Sequence, residues 1–186
     1  SMATPEFAER NGLEWTDGQT LTAAIGQSYS LFTPLQLSNY VATLAGGGTR
    51  YNAHLLKEVR TYDSAELVDL YDEPPAEIID IEPENLQAVL QGMRDLVVSG
   101  SVAYYFKDCV VDAAAKTGTA QTGGKVSNGV FVAFAPYDDP QIALAVVIEK
   151  GGSGGALAST AVQILNAYFT SVDEAKAVVG ENMLIQ

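Results

Sequence analysis

Lys116-Thr117-Gly118, extended through Thr119 to Ala120 and Gln121, places an ammonium, two hydroxyls and a residue without a side chain on consecutive positions. A cation beside a hydroxyl can hold an anionic group by charge-assisted hydrogen bonds. A glycine among them lets another peptide lie against the chain, where any Cβ would crowd it. The setting is extended. The apolar stretch Val110-Val111-Asp112-Ala113-Ala114-Ala115 leads in, a polar turn spans Thr122 to Gly129, and a strand-like run covers Val130 to Ala135. Strand alternation puts Thr117 and Thr119 on one face and Lys116 on the other. An ordinary edge strand with a solvated lysine fits the same residues, and a lone Lys-Thr-Gly is weak evidence.

Other chemistries find little support. No Ser has a Lys at the third following position, and no Ser-x-Asn occurs. Ser127-Asn128 lies in a hairpin turn and reads as turn chemistry. Thr122-Gly123-Gly124-Lys125 is too short for a phosphate loop and lacks the following Ser or Thr. Asp138-Asp139 reads as a solvated turn. His54, the only histidine, has no Cys or acid cluster at ligand spacing, so no metal or cofactor is assigned. Cys109, the only cysteine, excludes an intrachain disulfide and reads as a buried, inert thiol.

A chain of 186 residues is one domain or a large part of one. With 47% apolar and 18% charged residues it can bury a sizeable core. Ten basic against 23 acidic residues, a formal charge of −13, argue against a nucleic-acid partner, which needs clustered Lys and Arg. No stretch approaches the roughly 18–20 apolar residues of a membrane span.

Several elements must position the motif. Residues 4–27, with Pro5, Gly12, Gly18 and Gly26, read as an irregular lead-in, so that 1–27 carries no assigned element. Thr33-Pro34-Leu35-Gln36 is a helix start with a capping box, and Gly46-Gly47-Gly48 ends that helix. His54–Tyr62 and Glu66–Tyr71 read as a hairpin about Asp63-Ser64. A second helix is expected from Pro83 to about Val98, with Leu86, Val89, Leu90, Met93, Leu96 and Val97 as its stripe. Three strands follow over 112–121, 129–136 and 141–150, the last two antiparallel. Ile142 to Ile148 is apolar throughout, so both faces should be covered. Gly151–Gly155 reads either as a border of the groove or as a flexible connector. A helix from about Ala156 to Phe169 closes the domain, and 171–186 is weakly determined.

Four stretches in this order resemble the C-terminal part of the transpeptidase domain of class B penicillin-binding proteins, the penicillin-binding protein 2 type above all. They are Ile25-Gly26-Gln27-Ser28 with Thr33-Pro34-Leu35-Gln36-Leu37, Leu44-Ala45-Gly46-Gly47-Gly48, Gly92-Met93-Arg94 leading to Gly100-Ser101-Val102-Ala103, and Lys116 to Gln121. The resemblance implies an α+β fold: an antiparallel sheet with flanking helices, here without the family's N-terminal strands and nucleophile helix. It implies peptidoglycan crosslinking through an acyl-serine, with D-Ala-D-Ala stem peptides and β-lactams as ligands. Lys116, Thr117 and Gly118 would bind the substrate, and the Thr119 backbone N–H would be one oxyanion donor.

The resemblance further implies that the chain alone is inactive, because Ser-x-x-Lys and Ser-x-Asn are absent. The parent would act on the extracytoplasmic face of the bacterial membrane. An open strand edge would invite self-association. A non-catalytic binding module, or a D,D-carboxypeptidase or β-lactamase hydrolase, remains as an alternative.

Overall fold

The computed structural model describes residues 1–182. Residues 1–27, expected to be irregular, contain two short helices, α1 (Pro5–Arg10) and α2 (Asp17–Ala24). Each begins at a Thr hydroxyl that accepts from a helix-start N–H, Thr4 from Phe7 and Thr16 from Gln19. The punctuating residues mark their ends. Pro5 occupies the first turn, where its missing N–H costs nothing. Gly12 and Gly26 turn to φ 64° and 79° just past the two helices.

The next two helices and the hairpin between them follow expectation, joined by two short strands and a one-turn helix that were not anticipated. In α3 (Pro34–Ala45) the capping box forms: Gln36 N donates to Thr33 Oγ1 at 3.2 Å, and Thr33 N donates to Gln36 Oε1 at 2.9 Å. Strand β1 (Thr49–Arg50) follows directly. The expected hairpin forms in shorter pieces, β2 (Glu58–Arg60) with β3 (Leu67–Leu70). Strand β4 (Glu77–Ile78) returns to pair with β1. Helix α4 (Pro83–Val98) has the expected bounds, and the one-turn α5 (Ala103–Phe106) follows it.

The central sheet holds β5 (Ala114–Ala120), β6 (Asn128–Ala135) and β7 (Ile142–Ile148), antiparallel in the order β5-β6-β7. A 3-10 turn, Gly154–Leu157, then leads to α6 (Ala158–Asn182), which runs past the expected end at Phe169.

Alternation along β5 and β6 divides the core into two layers. Ala113, Ala115, Phe131 and Ala133 face Leu157, Ala161 and Leu165 of the turn and α6. Ala114 and Phe134 face Val41 of α3 and Met93 of α4. Helices thus cover both sides of the sheet, as the α+β expectation required. Coverage of β7 is less complete than its apolar run suggested. Leu144 is buried, but Ile148 remains 44% exposed, and no strand pairs with the outer side of β7 among the described residues.

One clamp ties α4 to the start of β5. Arg94 Nη1 donates to Ala113 O at 2.8 Å, and Nη2 pairs with the Asp112 carboxylate. The guanidinium also lies 5.7 Å from the centre of the Tyr137 ring. Tyr137 N donates to Asp112 O at 2.8 Å, and its hydroxyl accepts from Gln87 Nε2 at 3.2 Å. Arg94 therefore holds the start of β5 beside the end of β6. Replacing it with Met keeps the apolar stem but removes one donor to Ala113, a buried residue. Urea unfolding should show a loss of about 1–3 kcal/mol. An unchanged midpoint would mean that the clamp does not hold the sheet.

Candidate active site

The geometry of the β5 edge can be read from one close approach. An ideal Cβ built on Gly154 would lie 2.2 Å from Gly118 O, 2.3 Å from Val130 O and 2.8 Å from Gly118 N. Atoms gathered so tightly about one point must lie together between the strands. Gly118 and Val130 are therefore a hydrogen-bonded pair of the ladder. Register is continuous from Ala114↔Phe134 to Ala120↔Asn128. By alternation, Thr117 and Thr119 turn their N–H and C=O groups away from β6, toward the outer edge.

Two further observations agree. The Gly118 carbonyl and the Thr119 N–H belong to one planar trans peptide unit, so they point in opposite directions. Lys116 Nζ donates to Thr117 O at 2.7 Å, the bond expected of a carbonyl left outside the ladder. β5 is an edge strand, so this row of outward groups has no neighbouring strand among the described residues.

Side chains flank that edge from both sides. Lys116 is exposed at the rim of an apolar cavity of about 480 Å³ between α3 and α4, lined by Tyr40, Leu44, Val89 and Met93. Gly118 lines a second cavity, about 330 Å³, with Ile25, Phe32, Leu37 and Val130. The chain between α2 and α3 forms its far wall. Hydrogen bonds hold that wall: Ser28 Oγ donates to Gln19 Oε1, Gln19 Nε2 to Tyr29 OH at 3.3 Å, and Tyr29 OH to Glu14 O at 2.9 Å. Thr117 and Thr119 lie on the opposite, α6 side, as alternation requires. A family profile for the penicillin binding protein transpeptidase domain matches residues 5–168.

The chain belongs to the penicillin-binding protein transpeptidase family.

Penicillin-binding protein 2A of Bacillus subtilis is 34% identical over 157 residues, covering 77% of this chain and 22% of that protein. The peptidoglycan D,D-transpeptidase MrdA of Escherichia coli K12 is 31% identical over 186 residues, covering 89% of this chain and 29% of that one. The crystal structure of Pseudomonas aeruginosa PBP2 in complex with WCK 5153 superposes with a TM-score of 0.75 at 32% identity, over 90% of this chain and 38% of that one. The chain thus spans less than a third of the length of the curated relatives. The resemblance to the penicillin-binding protein 2 type holds.

Within this transpeptidase-family chain, the structure brings together Lys116, Thr117, Gly118 and Thr119 on one open edge. It also decides the nature of Gly151–Gly155. This is not a loose connector: Gly154 and Leu157 are buried. Ser153 Oγ accepts from Gly155 N at 3.2 Å, and Gly154 N donates to Thr119 Oγ1 at 3.4 Å. The turn therefore abuts the back of the motif.

Sequence reasoning missed Gly129, the register partner of Thr119, whose bare position admits this turn. A glycine inside a strand was the available signal. Ser127-Asn128 does turn work as expected: Asn128 Oδ1 accepts from Lys150 N at 2.9 Å, and Ser127 O accepts from Gly152 N at 2.9 Å. Cys109 packs against the α6-side core, and burial pushes its thiol pKa up, which suits an inert group.

Gly118 differs from the other two glycines of the site. A Cβ there would meet Val130 Cβ at 3.4 Å, ordinary contact. Its own fold does not demand a glycine. Gly118→Ala should therefore change unfolding stability by less than about 1 kcal/mol. A larger loss in chemical denaturation would place the constraint inside the chain rather than at a ligand.

Proposed function

We propose that this chain is the carboxyl-side part of a peptidoglycan D,D-transpeptidase, with the β5 edge as one wall of its active site. The observation that carries this reading is the outward-turned Thr119 N–H beside Lys116 on an edge strand whose outer side has no partner strand among the described residues, in a chain of this family. A stem peptide ending in D-Ala-D-Ala extends along β5, completing the ladder with Thr117 and Thr119. Lys116 approaches its terminal carboxylate from the α3–α4 side and the Thr117 hydroxyl from the α6 side. The ammonium exchanges its bond to Thr117 O for a charge-assisted bond to that carboxylate. Gly118 leaves room for the peptide to lie flat.

The nucleophile is a serine from a segment outside these residues. Its oxygen attacks the penultimate D-Ala carbonyl as its proton passes to a base. The developing oxyanion accepts from the Thr119 N–H and a second donor beside the serine. The C–N bond breaks and the terminal D-Ala leaves with a proton on its amine. An amine of a neighbouring stem peptide then attacks the ester, a new amide forms, and the serine regains its proton. β-Lactams mimic the same terminus and acylate the same serine. The parent enzyme works where peptidoglycan lies, on the extracytoplasmic face of the bacterial membrane.

Fluorescent penicillin tests this directly. The longer polypeptide should label covalently, and the isolated chain should not. Labelling of the isolated chain would contradict a nucleophile supplied from outside. In the longer polypeptide, Lys116→Met should slow acylation about 10- to 100-fold, the equivalent of one charged hydrogen bond of roughly 1.5–3 kcal/mol. An unchanged rate would remove Lys116 from the site.

The outer side of β7 carries a second proposal. It is an apolar edge with no strand partner among the described residues, and such edges pair with other chains. Light scattering of the isolated chain should show mass rising with concentration. A constant monomer mass would exclude strand exchange.

A further inference from the structure

We infer that the Ser153–Leu157 turn is a backstop that sets the position of the Thr119 N–H, with Gly154 as its positioning residue. The inference rests on the transpeptidase reading above and adds to it a residue that never touches the substrate.

The turn presses on bare backbone. Gly154 sits against the Gly118–Val130 pair so closely that a Cβ would fall 2.2 Å from Gly118 O and 2.3 Å from Val130 O. It reaches that depth because the neighbouring position on β6 is also a glycine. A Cβ on Gly129 would meet Leu157 Cδ1 and Ser153 O, both at 3.3 Å. Beside these contacts, Gly154 N donates to Thr119 Oγ1 at 3.4 Å, linking the turn to the donor residue itself.

The turn cannot easily retreat. Leu157 is buried in the core that holds Phe131, Ala161 and Leu165. Ser153 O accepts from Ala156 N at 3.1 Å, and Gly152 N is tied to Ser127 O at 2.9 Å. Force applied at Gly154 is therefore delivered to the Gly118 carbonyl. That carbonyl and the Thr119 N–H are opposite ends of one rigid peptide unit. Whatever displaces the oxygen displaces the donor. Restoring ordinary contact around a Cβ at Gly154 needs a shift of about 1 Å, and a displacement of that size at a reacting centre can cost about 100-fold in rate.

Pre-steady-state acylation of the full-length transpeptidase by a chromogenic β-lactam separates the noncovalent dissociation constant from the limiting acylation rate. Gly154→Ala should lower the limiting rate about 100-fold while changing the dissociation constant less than about threefold, well below the melting temperature. Gly155→Ala, whose Cβ would meet only Ser153 Oγ at 3.6 Å and Val102 Cγ1 at 3.8 Å, should stay within about twofold in both constants. Gly129→Ala presses the same turn by only tenths of an ångström and should lower the limiting rate about three- to tenfold. It decides the question if Gly154→Ala does not fold.

A folded Gly154→Ala, or failing that a folded Gly129→Ala, that acylates at the wild-type rate overturns the backstop. So does an effect confined to the dissociation constant. A wild-type protein that never acylates overturns the transpeptidase reading instead, and the backstop with it.

Discussion

A single peptide unit, the one joining Gly118 to Thr119, stands between the folded core and the open edge. Its carbonyl belongs to the ladder with β6, and its N–H faces outward. The ladder fixes the unit along the strand, because register runs unbroken through seven pairs from Ala114 to Ala120. The Gly154 turn fixes it from the α6 side. On the other side, α4 holds the beginning of the same strand through Arg94. Strand β6 and the Gly154 turn thus meet at this amide, while α4 anchors the strand that carries it at Ala113.

Charge at this edge works locally. The chain carries −13 overall, yet the motif presents an ammonium. Exposed charges more than about 8–10 Å apart are largely screened at physiological salt. An anionic ligand lying on β5 therefore responds mainly to Lys116 and to the amides beside it. Distant acidic residues therefore act weakly on the edge, where the Lys116 ammonium is exposed. Lys116 Nζ donates to Thr117 O, so the ammonium is held near the strand.

Much of this was legible because local signals and tertiary structure agreed. Thr33, Pro34 and Gln36 encode a helix start in their own chemistry, and α3 begins there. The apolar stripe of α4 and the alternation of β5 and β6 follow from burying one face or two. Two features were not legible. Residues 5–24 looked irregular because each helix is too short to repeat an apolar stripe over several turns, and the clues were the caps Thr4 and Thr16 with Pro5, Gly12 and Gly26 at the ends. The Gly151–Gly155 segment stayed open between a groove border and a flexible connector because glycine serves both close packing and mobility. Only the strand it meets distinguishes these uses.

The three glycines of the site make that distinction concrete. At Gly118 a side chain would meet only Val130 at ordinary distance, so the fold leaves the position free. At Gly129 a side chain would graze Leu157 and Ser153, a matter of tenths of an ångström. At Gly154 it would enter the ladder itself. The same residue type therefore meets a neighbouring side chain at ordinary distance, a turn and a hydrogen-bonded rung within one small volume. A strand built only for stability would carry a β-branched side chain at position 129, because such residues pack better and lose less entropy on folding than glycine. There it would push against Leu157 and Ser153, so the bare position on β6 and the seat of the turn are one requirement.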